Sequence, residues 1–110
     1  MADAFHDREQ AFEAKFKHDQ ELEFRARARR NKLLGLWAAE TMGMAGGGAE
    51  AYARQVVAVD LEEHGDADVI KKVLTDLGNH DVEMTEGRLE IKLRKMLDIA
   101  REQIMNESSQ

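Results

Sequence analysis

The chain contains neither cysteine nor proline. Without cysteine there is no disulfide framework and no thiolate metal site, a composition that a reducing cytosol permits. Without proline no residue forces a helix to kink, so helices must end at glycine, at capping residues or where polarity takes over. Aromatic residues make up only 5% of the chain. No apolar run approaches the roughly 18 residues needed to span a membrane. The opening MADAFHDREQ is acidic and lacks the apolar core of a secretory signal or the basic character of a transit peptide. A soluble, cytoplasmic protein is expected.

The residues that dominate are Ala, Leu, Glu, Lys, Arg and Met, which have the best intrinsic helix propensity. At 110 residues there is room for one domain with a modest core. An all-α fold is expected, a small four-helix bundle. Its first helix should run from Phe5 to Glu40, where no turn signal interrupts the sequence. Such a helix extends roughly 54 Å, against a domain on the order of 30 Å across, so its N-terminal part should be flexible or protruding. Leu33, Leu34, Trp37, Ala38 and Thr41 form the inward face of its second half. Gly43 and the run Gly46 to Gly48 should end it. The second helix is expected from Ala49 to Glu63, with Tyr52, Ala53, Val56, Val57 and Leu61 inward and Gly65 as its C-terminal cap. The third runs from Ala67 to Leu77, with Asp66 or Asp68 as N-cap and Gly78 and Asn79 beyond its end. The fourth follows Thr85, with Leu89, Leu93, Met96, Leu97, Ala100 and Ile104 on one face and a polar tail from Asn106 that should fray. The organisation is thus a flexible segment 1–18, a bundle 19–107 and a frayed tail 108–110.

Little in this sequence can do covalent chemistry. The serines, Ser108 and Ser109, lie in the tail, and Thr41, Thr75 and Thr85 fit capping or back-bonding roles. His6, His18, His64 and His80 are scattered and make no i, i+4 zinc pair. The glycine run GMAGGGAE lacks the GK[ST] ending of a phosphate-cradling loop. No catalytic residue, metal or obligate cofactor is assigned.

Charge and aromatic placement are more telling. The net charge is −6, which argues against nucleic acid as partner. From Asp3 to Glu23 there are seven acids against three bases, and then Arg25, Arg27, Arg29, Arg30 and Lys32 follow with no acid among them. Of these, Arg25, Arg29, Arg30 and Lys32 are candidates to hold the phosphates of a weakly bound ATP or ADP. Phe5, Phe12 and Phe16 fall at i, i+7 and i+11, within one narrow stripe of a helix. The stripe could fold back into the bundle, but a straight helix has no turn with which to return it, so a partner is the favoured reading. Burying three phenylalanines contributes roughly 5 to 9 kcal/mol. Ordering some 15 residues costs on the order of 15 to 30 kcal/mol, so the segment to about His18 is expected to be disordered alone and to order on docking as a helix in a groove.

The stretch FEAKFKHDQELEFRARARRNKLLGLWAAE, Phe12 to Glu40, resembles the bacterial zeta-type inhibitory subunits of the F1-ATPase, with RNKLLGLWAAE its most specific part. The likeness continues through AEAYARQVV, DLEEHGDADVIKKV and the final QIMNE. The resemblance implies a four-helix inhibitor, not an enzyme, whose N-terminal helix inserts between the α and β subunits of the ATP synthase head, near the rotating γ subunit, and stops hydrolytic rotation. Carried onto this chain, the inserting segment is Met1 to about Phe16, with Asp7, Arg8, Glu9, Phe12, Glu13, Lys15 and Phe16 as contacts beside Phe5. It further implies a protein at the cytoplasmic face of the membrane when bound, without insertion into the membrane, and monomeric when free. A nucleotide sensor and a general helical adaptor are the alternative classes.

Overall fold

In the computed structural model, which describes residues 3–62 and 65–108, helix α1 spans Asp3–Thr41, α2 Gly46–Glu62, α3 Asp66–Asn79 and α4 Glu86–Ser108. Among the described residues there is no strand. The molecule measures 68 × 28 × 22 Å, an elongation set by α1. The second half of α1 packs between α2 and α4, and α3 closes the body. Leu34, Ala38 and Ala39 from α1, Val56 from α2, Val69, Val73 and Leu77 from α3 and Leu89 from α4 meet in the core with no exposed surface.

One small residue sets the spacing of the two longest-packed helices. A Cβ at Gly35 would lie 2.7 Å from the Ala53 Cα and 3.3 Å from Val56 Cγ2. The backbone of α1 therefore crosses α2 at a distance that only glycine on one side and alanine on the other permit. The sequence reading gave Gly35 no role, because a lone glycine inside a helical pattern looks like a mere defect.

Helix ends follow the chemistry expected of them, with several shifts. At the end of α1, Met44 N–H donates to Ala39 O (2.8 Å) and Gly43 N–H to Glu40 O (3.0 Å), with Gly43 at φ 86°. This is the paired 6→1 and 5→2 closure that a left-handed residue allows. Gly46 to Gly48 do not form the linker expected of them; they are the first turn of α2, which Gly46 enters at φ 56°, a left-handed conformation glycine adopts freely. The end of α3 uses the same closure as α1, with Val82 N–H to Leu77 O (2.9 Å), Asp81 N–H to Gly78 O (3.1 Å) and Asp81 at φ 61°. An aspartate, not the glycine at 78, takes the left-handed position, a role its short side chain tolerates.

Gly65 is the N-cap of α3, and Asp66 and Asp68 lie in its first turn without capping it. The Asp66 carboxylate is engaged by Arg27 and Arg30 instead. Glu63 and His64 lie outside the described residues. Thr85 caps α4 as expected, its Oγ1 accepting from Arg88 N–H (3.2 Å). At the other end α4 continues through Asn106 and Glu107 to Ser108, where fraying was expected; Glu107 pairs with Arg29 and Ser108 Oγ donates to Ile104 O. Ser109 and Gln110 are outside the described residues.

Two expected inward residues face out. Thr41 is exposed and bonds back to Trp37 O. Leu61 is 57% exposed, because it sits about 130° round the helix from the centre of the stripe formed by Ala49, Tyr52, Ala53 and Val56.

Tyr52 carries a polar anchor between α2 and α3. Its hydroxyl donates to Asp76 Oδ2 (2.8 Å), which also accepts from Lys72 Nζ (3.1 Å), and that ammonium lies 5.4 Å from the ring centroid. Burial, and then the hydrogen bond and charge of Asp76, push the phenol well above its ordinary value of 10.0.

Three expectations follow. Gly35→Ala should lower stability in spite of the ~1 kcal/mol helix-propensity gain, because separating the helices costs about 1–3 kcal/mol; a melting temperature at or above that of the parent would contradict the close crossing. Because the folded phenol is held neutral, its contribution is full below about pH 10 and is lost as pH rises above that value. Tyr52 is the sole tyrosine, so a phenolate absorbance that titrates near 10 in the folded protein would refute this environment. Tyr52→Phe should cost about 1 kcal/mol at neutral pH and flatten the alkaline loss.

Candidate functional site: the projecting arm of α1

From Asp7 to Glu21 every α1 side chain is exposed. Leu22 and Glu23 are the first to be half-covered, and Ala26 is the first to be buried. The arm from Asp7 to Glu21 is thus about 22 Å of helix standing clear of the body. It has few means of holding itself, since an isolated helix of this length is marginal in water. The flexible-or-protruding expectation takes the protruding form here.

Phe12 is 72% and Phe16 56% exposed, one turn apart on one side of the arm. Between Arg8 and Lys15 the charges separate. Glu9 and Glu13 lie along one flank of the phenylalanine face, and Arg8 and Lys15 along the other. Asp7 is about 160° away on the back, so the helix does not bring it to the same face as the others. The side chain of Phe5 lies outside the described residues, as do Met1 and Ala2.

Where the arm joins the body it is fastened by ion pairs. Arg101 from α4 donates to both carboxylate oxygens of Glu23, through Nε at 3.2 Å and through its terminal nitrogen. That hydrogen bond, opposed by partial burial and aided by the charges of Arg101, Arg27 and Arg30, holds the Glu23 carboxyl below its usual value. The tie is therefore present above the ordinary glutamate range and lost as pH falls through the lowered value. Below the pair, Asp19, Leu22, Ala26, Ile104 and Met105 line a groove.

The basic run serves the same junction. Arg25 and Arg29 reach Glu107 at 4.0 and 2.9 Å, and Arg29 also donates to Gln103 Oε1 (2.8 Å). On the other side Arg27 meets Asp60 (3.1 Å) and Asp66 (3.4 Å), while the buried Arg30 donates to Asp66 (2.9 Å) and to Asn31 Oδ1 (3.0 Å). Asn31, also buried, donates to Asp60 (3.1 Å). This accounts for the mid-helix charge reversal that the helix dipole does not explain. The four residues considered for phosphate are not brought together: Arg25 and Arg29 turn to α4, Arg30 to the start of α3, and Lys32 lies exposed in a depression with Glu50 and Arg54. An incoming phosphate would have to displace carboxylates from three of them.

Sequence reasoning passed over Phe24. It is 62% exposed and shares a small cleft with Ala28, Val57 and Leu61. It stands about 80° round α1 from Phe16, and a search for one narrow stripe therefore excluded it.

Among the described residues no group of three or more His, Asp or Glu is arranged to hold a metal ion. Ser108 Oγ is spent on Ile104 O, and the ring of His80 donates through Nδ1 to Asp76 O. No helix among the described residues is long and apolar enough to cross a membrane.

The sequence model of a family described as ATPase inhibitor subunit zeta matches residues 1–103. A protein whose structure was solved by solution NMR is 44% identical, with 78% of this chain and 98% of that chain covered and a TM-score of 0.68. No curated protein matches the chain significantly.

The junction predicts a sharp boundary in amide hydrogen exchange. Amides from Glu9 to Gln20 should exchange with little protection and those from Ala26 onward with much more. Equal protection along α1 would contradict a free-standing arm.

Proposed function

From the premise that this chain belongs to the ATPase inhibitor subunit zeta family, we propose that it is a regulator of the ATP synthase that suppresses ATP hydrolysis by inserting the arm of α1 between an α and a β subunit of the head, close to γ. The observation that carries this reading is the exposure of Phe12 and Phe16 on a helix that overruns its own body. In water those rings gain nothing from being held on one face; in a groove they supply anchors, and the flanks set the orientation. Glu9 and Glu13 on one side and Arg8 and Lys15 on the other would each meet the opposite charge, which fixes the rotation of the helix as it enters.

The body has a different task. It is a mount in which α4 holds the root of the arm through Glu23 and Arg29, α3 through Arg30, and α2 through Arg27 and Asn31. An arm that is only marginally helical alone must be ordered by its groove, and that ordering weakens binding relative to the contacts it makes. Starting the helix at a fixed root reduces that cost, because the nucleating turns already exist. Inhibition of this kind needs no catalytic group: the inserted helix occupies space that the catalytic interface must close or that γ must sweep. The protein would then act at the cytoplasmic face of the membrane, as a monomer before docking.

The test is steady-state ATP hydrolysis by a matched ATPase head, with the full chain and with a version lacking residues 1–16. The shortened protein should keep its melting transition and lose inhibition. Phe12→Ala with Phe16→Ala should raise the half-inhibiting concentration by roughly a thousandfold, since each lost anchor costs roughly 2 kcal/mol. Full inhibition by the shortened protein would refute the proposal.

A further inference from the structure

Helix α4 has two faces, and the bundle uses one. Leu89, Leu93, Ala100 and Ile104 are buried. The opposite side presents Arg88, Ile91, Lys92 and Lys95 and, toward the C-terminal end, Asp98, Ile99 and Glu102. Ile91 is 50% and Ile99 43% exposed. A solvated helix face is better served by glutamate or lysine, which form helix more readily and expose less apolar surface.

The cations on this side differ from those of α1. The ion pairs of the fold join Arg25, Arg27, Arg29, Arg30, Lys72 and Arg101 to carboxylates. Among the described residues Arg88, Lys92, Arg94 and Lys95 pair with none. Lys92 is instead held over the half-buried Trp37 ring, its Nζ 4.9 Å from the centroid. Between Arg88 and Lys95 the sole acid is Glu90, in a chain whose net charge is −6. From Arg88 to Lys95 a cationic surface set with Ile91 thus stands on an otherwise acidic molecule, and Ile99 lies just beyond it between Asp98 and Glu102.

We propose that this face of α4 is a second docking surface, fitted to an acidic patch on the outer surface of the ATPase head. The inference rests on the inhibitor reading. An arm buried in the head brings the body at its root against the exterior, so a second contact forms at high effective concentration and adds to affinity even when weak alone. Ile91 and Ile99, about 12 Å apart along the helix, give such a contact two apolar footholds, and the unpaired cations select an acidic surface and speed encounter. An anionic bilayer is the poorer match, because two isolated side chains anchor weakly and the acidic remainder of the chain is repelled by the headgroups.

The experiment uses the full chain with Arg88→Glu and Lys95→Glu together, and separately with Ile91→Ser and Ile99→Ser, each verified by its melting transition. Half-inhibiting concentration is measured for the ATPase head across a salt series. The charge-reversed protein should need roughly tenfold more for half-inhibition at low salt, with a flatter salt dependence. Its maximal inhibition should remain complete, because the arm is intact. The serine variant should lose a few-fold at every salt concentration. Unchanged potency and salt dependence in both variants would overturn this surface alone. A parent chain that does not inhibit would overturn the inhibitor reading and this surface with it. Sedimentation of the parent with phosphatidylserine vesicles, lost on charge reversal while potency is unchanged, would overturn it in favour of lipid.

Discussion

A 39-residue helix cannot be covered by a 23-residue neighbour, and much of the architecture follows from that mismatch. α4 runs alongside α1 until Ile104 and Met105 reach Leu22 and Ala26, and there it stops. Beyond that point α1 has no neighbour to lean on among the described residues. What would be a defect in a self-sufficient bundle becomes the feature by which the molecule reaches another. The body is accordingly built around the root of α1, with Gly35 letting α2 approach closely and a ring of carboxylates and arginines gripping the segment from Glu23 to Asn31.

The polar grip has a physical logic of its own. At a junction where a helix leaves its core, apolar packing thins out on one side, and a cluster of extended arginines can cover backbone and reach carboxylates on three other helices at once. Exposed pairs contribute little singly. The partly buried network of Arg30, Asn31, Asp60 and Asp66 is different, because removing Asp66 or Asp60 would take a partner from the buried Arg30 or Asn31. The grip thus defines where the rigid body ends and the arm begins.

Much of this was legible in the residues. The all-α class, the four helices and the excess length of the first follow from propensity, periodicity and the absence of proline, and the Thr85 cap is written in its position. Ends governed by tertiary context were not legible: nothing local distinguishes Asp81 from Gly78 as the left-handed residue of α3, and Asp66 reads as a cap until arginines 39 and 36 residues earlier in the chain are seen to claim it. For the same reason the basic run looked free to meet phosphates. Its partners Glu107, Gln103 and Asp66 are far away in sequence and become visible only when the helices are packed. Phe12 and Phe16 stood out because nothing inside the chain competes for them, whereas Phe24 and the outer face of α4 were hidden behind the search for a single stripe.

The absence of cysteine makes the central claim directly measurable. With Ala11→Cys as the sole thiol, on the arm but off the phenylalanine face, a bulky maleimide should react rapidly with the free protein and hardly at all when the ATPase head is inhibited, because only enclosure by the head on several sides would shield that position. Equally rapid labelling while hydrolysis stays inhibited would mean that the arm is not inserted, and that inhibition, if present, comes from the body.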